Sequence, residues 1–199
     1  MKRIGNIYPK IYALENLHLA DSKARKGKAF QKSVKEHDKN RENNIWKLHY
    51  ILRNKVYKTS KYKTFIIKEE KEREIFSLPY WPDRILHHGV LNILEPVFVS
   101  MFTQNTYSCI KKRGPHKALF AVKKALKDDE AGTKYFLKMD IKKFYPSVDH
   151  DILKKMLRRK FKDGDLLTLL DEIIDSAPGI PIGNYISQYL ANFYLTYFD

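Results

Sequence analysis

The sequence predicts an α+β fold, rich in helix with a small antiparallel β component. Three observations carry this. Apolar residues recur at helical spacing, most clearly Ile45, Leu48, Leu52 and Val56. Two short runs of strand-forming residues, 62–67 and 74–78, flank a charged turn. A third run, Lys134 to Ile141, is apolar, short, and delivers Asp140 to its end. With 199 residues, 43% of them hydrophobic, the chain can bury a core of one or two compact units.

The elements follow in order. Residues 10–20 read as a short helix. Residues 21–44 are very polar, a loose basic segment that becomes helix near residue 30. The 45–56 periodicity predicts a helix ending near Asn54. Runs 62–67 and 74–78 make a hairpin whose turn lacks an Asn-Gly or Asp-Gly pair. Pro82-Asp83 starts a helix with Ile85, Leu86, Val90, Leu91 and Leu94 on its apolar side. Pro96 should break or kink it, leaving a second short helix over 97–102. Thr106 to Cys109 reads as an extended piece. Gly114-Pro115-His116 opens a helix that carries Leu119, Val122 and Leu126 inward. Lys134 to Ile141 is a strand. Ser147, with Asp149 and Asp151 in the first turn, caps a helix to about Lys160. Residues 166–174 form another helix. Asn184 or Ser187 caps a last one that still runs at Asp199.

Charge narrows the function. Lys and Arg number 38 against 23 Asp and Glu, a net of +15. Such an excess points to a polyanionic partner, nucleic acid before anionic membrane. It is uneven: residues 1–75 carry +11, 76–139 carry +5, and 140–199 carry −1. No uninterrupted apolar stretch of about 18 residues occurs, so no membrane helix is expected. Met1-Lys-Arg-Ile-Gly-Asn leads into no apolar signal core. The single Cys109 excludes an intramolecular disulfide and a cysteine-based zinc site, and reads as a small core residue. A cytoplasmic setting fits. Adjacent His87 and His88 point about 100° apart on a helix, which suits packing better than a shared metal.

Four constellations carry chemistry. Asp140 alone is more often a strand end capping a turn than a metal ligand. Its flanks are an apolar strand before it and Phe144-Tyr145 after it, and a carboxylate so placed can hold a hard cation. Gly179-Ile-Pro181-Ile-Gly183-Asn184-Tyr-Ile-Ser187-Gln188 is either a simple turn before a helix or a loop whose glycines let a base pair or phosphate approach. Lys68, Lys71 and Arg73 sit at the hairpin turn among Glu69, Glu70, Glu72 and Glu74. By itself that is a solvated charged loop. Lys111-Lys112-Arg113 beside Gly114 suits phosphate contact, or is a surface loop.

Taken together these segments, from about Trp46 to Asp199, resemble the bacterial-type reverse transcriptases, RNA-directed DNA polymerases of diversity-generating retroelements, retrons and group II introns. The Asp140 segment resembles motif A, and the resemblance implies that Asp140, with the Ile141 carbonyl, binds catalytic Mg²⁺ or Mn²⁺. It puts Tyr145 under the sugar, rejecting a 2′-hydroxyl, and Phe144 in the core. The Gly179–Gln188 run resembles motif B, with Ile182 and Gly183 against the nucleotide and Ser187 and Gln188 beside the nucleic acid. Most of the family has Gln-Gly, then Ser-Pro; Ile182-Gly183 and Ser187-Gln188 resemble the diversity-generating enzymes, which implies looser base selection and error-prone copying. The hairpin resembles the fingers motif, in which Arg73 and Lys71 hold the triphosphate. Lys111, Lys112, Arg113, His116 and Ala118 resemble the family's template-side segment.

The resemblance implies a right-hand polymerase divided into a basic N-terminal helical segment (1–45), fingers (46–133) and a partial palm (134–199). The family's next motif, an aromatic-x-Asp-Asp hairpin with the second carboxylates, and the thumb lie outside this stretch. The implied reaction is nucleotidyl transfer from a dNTP to a primer 3′-hydroxyl on an RNA template, with an accessory protein as a further partner. This stretch alone is not expected to extend a primer. Two rivals stay open: a non-catalytic RNA-binding module, for which basic and aromatic residues serve equally well, and a template-independent defence polymerase of the same fold.

Overall fold

The computed structural model describes residues 3–68 and 72–198. α1 (Tyr8–Tyr12) and α2 (Leu14–Ala24) are divided at Ala13, whose ψ of 135° is not helical. α3 (Lys32–Asp38) and α4 (Arg41–Arg53) follow. Ile45, Leu48 and Leu52 are fully buried along α4, as their spacing predicts. α5 (Ile85–Val99) is the central element, packed on α1, α2 and α9 (Tyr185–Leu195). It is apolar enough to be covered on several sides, and Ile85, Leu86, Val90, Leu91, Leu94 and Phe98 are all buried.

α5 corrects one expectation. It runs through Pro96 to Val99 with no second helix beyond. The proline costs a backbone hydrogen bond. Burial of Leu94 and Phe98 on either side of it holds the helix, and Ser100 N–H donates to the Pro96 carbonyl at 3.1 Å.

The hairpin forms as predicted. β1 (Lys63–Lys68) pairs antiparallel with β2 (Glu72–Ser77), Lys63 opposite Ser77 and Lys68 opposite Glu72. It is the only sheet among the described residues. Lys71, at its turn, lies outside them.

The strand predicted over 134–141 is absent. Residues 134–141 form irregular chain, with Phe136 92% exposed and Tyr135, Leu137 and Met139 also in solvent. A strand needs a neighbour to satisfy its backbone, and no described residue supplies one. α6 (Pro115–Asp128) starts at Gly114-Pro115 as expected but buries nothing, so Leu119, Val122 and Leu126 are half-exposed rather than inward. Thr106–Cys109 forms turns rather than strand, and Cys109 is exposed, not core.

The next two helices carry side-chain caps. α7 (His150–Lys160) is capped by Asp149, which accepts from Ile152 N–H at 2.9 Å; Ser147 instead donates back to the Lys143 carbonyl. α8 (Gly164–Ile174) is capped by Asp163. The other oxygen of Asp163 accepts from the Ile7 and Tyr8 N–H groups, at 2.6 and 3.0 Å, and so caps α1 as well. α9 ends at Leu195, short of the predicted reach. One apolar cluster runs from Ile7 through Leu48 and Leu91 to Phe193.

A buried carboxylate ties the basic front to that core. Asp21 of α2 is out of contact with water. It accepts from Arg25, Arg41 and Tyr80, and His37 lies 3.4 Å from it. Burial raises its pKa, but the bonds from His37, Tyr80, Arg25 and Arg41 outweigh this and hold the carboxyl well below the usual range. Asp21→Ala strands the cations it pairs and should cost about 3–5 kcal/mol, read as a lower urea midpoint. In the wild type the same stabilisation is complete above about pH 4. It is lost as acid protonates Asp21, which a urea series at falling pH measures.

Candidate nucleic-acid interface

The Gly/Pro loop before α9 is fixed from two sides. On one side, Ile180 N–H donates to the Tyr145 carbonyl at 2.8 Å, and Gly179, at φ +59°, lies against the Tyr145–Pro146 backbone. On the other, Phe76 N–H of β2 donates to the Ile182 carbonyl at 2.7 Å. Gly183 is at φ +120°, and a Cβ there would sit 2.5 Å from the Phe76 carbonyl oxygen. Only glycine takes this backbone without strain, and only glycine leaves room for the strand.

Polar side chains complete the joint. The Tyr62 hydroxyl lies 2.8 Å from Ser176 Oγ and accepts from Asn184 Nδ2 at 2.9 Å. Tyr62 also meets Phe76 edge to face. Asn184 therefore precedes α9 without capping it through its side chain. Ser187 Oγ is buried and donates to the Pro181 carbonyl at 2.7 Å, so its hydroxyl serves the loop's own shape.

This joint forms one wall of a cleft of about 400 Å³. Ile182, Gly183, Ser187, Gln188 and Tyr145 line it, which brings together five of the residues singled out by sequence. Lys23, Lys26 and Lys28, at and after the end of α2, line it too, with Arg84 and His88. Gly27, at φ +70° with open space around it, makes the turn that sets Lys26 and Lys28 outward. Among the described residues no carboxylate lines the cleft.

The charge is felt by its neighbours. His88 stacks on Tyr185, ring centres 4.2 Å apart. Burial, then the charges of Lys28, Lys23 and Lys111, push its pKa down to about 4. His87 behind it is fully buried and also lowered to about 4, chiefly by burial. The pair packs, as its spacing predicts. Tyr145 is half-buried with its hydroxyl pKa raised, first by burial. Phase by phase along the wall, the cleft offers cations for phosphate and rings for bases.

The other sequence candidates stand outside this cleft. Arg73 is exposed on β2, opposite Ile67. Asp140 and Ile141 are exposed on the irregular 134–141 segment. Lys111 pairs with Glu95 at 3.4 Å, and Arg113 Nη1 donates to the Thr103 carbonyl. Lys112 takes φ +63° at the tip of that turn, and His116 is exposed in the first turn of α6. No group of three His, Cys, Asp or Glu side chains that could hold a metal occurs among the described residues. Asp140 and the Ile141 carbonyl do not on their own fit a divalent metal pair.

Sequence reasoning missed Lys23, Lys26, Lys28 and Arg84 as one site. The basic run was visible, but only the packing of α2 on α5 sets it in one cleft with the Gly/Pro loop.

No family model matches the chain. Protein YkfC of Escherichia coli K12 is 28% identical over 149 residues, 69% of this chain and 39% of that protein. Group II intron-encoded protein LtrA of Lactococcus lactis subsp. cremoris is 26% identical over 143 residues, 66% of this chain and 23% of LtrA. Nuclear intron maturase 1, mitochondrial, of Arabidopsis thaliana is 29% identical over 93 residues, 47% of this chain and 12% of the maturase. The chain thus matches well under half the length of each relative. No described helix is long and apolar enough to cross a membrane.

Gly183→Ala should destabilise the protein by about 1–3 kcal/mol, because strain at φ +120° adds to the clash with β2. Thermal melts measure the loss. Gly164→Ala, where an added Cβ meets nothing, is the comparison expected to stay near wild type.

Proposed function

We propose, for a chain whose relatives include group II intron-encoded proteins of the bacterial reverse-transcriptase type, that it binds RNA as the fingers-and-palm portion of such a polymerase. The observation that carries this is the cleft: Lys23, Lys26, Lys28 and Arg84, with no lining carboxylate among the described residues, together with a glycine loop and the Tyr145 and Tyr185 rings. Cations of this kind take phosphates without regard to sequence, and rings take unstacked bases.

RNA-templated DNA synthesis is the activity proposed for the whole polymerase. In it Asp140 would supply one carboxylate toward Mg²⁺, the remaining ligands coming from outside this stretch, and Arg73 with Lys71 would meet the triphosphate of a dNTP. Tyr145 limits the sugar. The metal would stabilise charge at the reacting phosphate; this chain's part is to position template and nucleotide.

Fluorescence anisotropy of a labelled RNA tests the reading. Four cations meeting phosphates predict a log–log salt slope of about −3 for a single strand. Lys26→Glu with Lys28→Glu should weaken binding roughly tenfold or more at low salt. Asp140→Ala should leave it within about twofold, since that carboxylate is outside the cleft; no binding by the wild type, or none lost in the double variant, refutes the proposal.

A further inference from the structure

We infer that the cleft at Tyr145 is half of a longer groove, and that a single RNA strand leaving it passes Arg84 into a second cleft at the foot of the hairpin. The inference rests on the RNA-binding reading above and extends it to a second site. The second cleft measures about 470 Å³. Gln31, Lys61, Lys63, Ser77, Trp81 and Arg84 are among its lining residues.

Arg84 lines both clefts. Its Nε donates to the Leu78 carbonyl and its Nη2 to Ser77 Oγ, each at 3.2 Å, and both acceptors belong to the wall of the second cleft. His87 and His88, three and four residues further along α5, belong to the first. One guanidinium therefore stands at the junction, held by neutral acceptors that leave its charge uncancelled.

The charge along the path is also uncancelled. Lys23, Lys26, Lys28, Lys61, Lys63 and Arg84 form no ion pair among the described residues. Elsewhere Arg25, Arg41, Lys55, Lys58, Lys154 and Arg158 each meet a carboxylate. Among the described residues Glu36 is the one carboxylate lining either cleft, and it lies near Lys32. Lys23, whose Nζ donates to the neutral Asn92 Oδ1 at 2.5 Å, four further exposed lysines and one fixed arginine make a positive track that a phosphate backbone complements.

The second cleft also has a fixed ring. Trp81 Nε1 donates to the Asn44 carbonyl at 2.9 Å, which holds the half-buried indole at the cleft wall. Lys63 is paired across the hairpin with Ser77, so the ladder sets the position of its backbone. A fixed ring beside mobile cations suits a single strand, whose bases can stack on it, better than a duplex.

Two oligouridylates, of about 5 and about 15 nucleotides, test the groove by anisotropy across a salt series. The wild type should bind the longer one more tightly, by roughly tenfold or more. Lys61→Gln with Lys63→Gln should bring the longer oligonucleotide close to the shorter one. It should also flatten the longer one's salt slope by about 1.4, for two lost phosphate contacts, and leave the shorter unchanged. Both lysines are exposed, and a matching circular dichroism spectrum confirms the fold. Equal wild-type affinity for the two lengths overturns the groove and leaves RNA binding standing. So does a double variant that weakens both lengths alike or neither. No wild-type binding to either length overturns both readings.

Discussion

The Asp21 carboxylate is the constraint on which the rest of the front face depends. It sits in the core side of α2 with no water to solvate it, so its charge must be met by protein donors. Those donors come from the end of α2 itself, from α3, from the start of α4, and from Tyr80 just before α5. The lysines at residues 23–28 follow directly from this hub, and Arg84 lies four residues past Tyr80. A basic wall that would otherwise repel itself is thus anchored by a single negative charge beneath it. The arrangement separates two uses of cations: Arg25 and Arg41 are spent on the core, and the neighbouring lysines are left for solvent and a ligand.

The second framework is made of backbone. The loop 176–184 buries Ala177, Ile180 and Asn184, and it also gives carbonyls to Phe76 N–H and the Ser187 hydroxyl while its Ile180 N–H reaches Tyr145. Glycines at 179 and 183 let those contacts close at van der Waals range. The site residues are then carried by elements that are already committed elsewhere: Tyr145 by its carbonyl, Ile182 by its own, Ser187 by its hydroxyl. What remains available to a ligand is Gly183, Gln188, the rings of Tyr145 and Tyr185, and the exposed cations.

Much of this was legible in the sequence where the signal is local. The hairpin, the Gly114-Pro115 helix start, the α4 periodicity and the Gly/Pro loop all follow from short-range chemistry and appear at or near the predicted positions. The failures have a common cause. Residues 134–141 and the apolar side of α6 have the composition of buried elements, but burial needs a second surface, and no described residue of this chain provides it. Pro96 fails in the opposite sense: a strong local breaker is overridden by the packing around α5. Tyr145 and the 182–188 loop, both singled out by sequence, line one cleft, while Lys23–Lys28 and Arg84 could not be joined to them without knowing that α2 lies on α5. Asp140, the most suggestive residue of the sequence, is found on a segment that owes its shape to no neighbour in a sheet.

The contact between Gly183 and Phe76 has a mechanical consequence. A two-stranded hairpin is by itself a pliant arm, but this one is hinged to nothing: its base is bonded into the loop that floors the cleft, through Phe76, Tyr62 and the close fit at Gly183. The arm and the floor are therefore one lever. A load placed on the tip, near Arg73, is delivered as torque to the backbone at residues 182–184 and onward to the first turn of α9. Stiffness acquired this way belongs to the joint, and a single methyl group at its fulcrum is enough to unseat it.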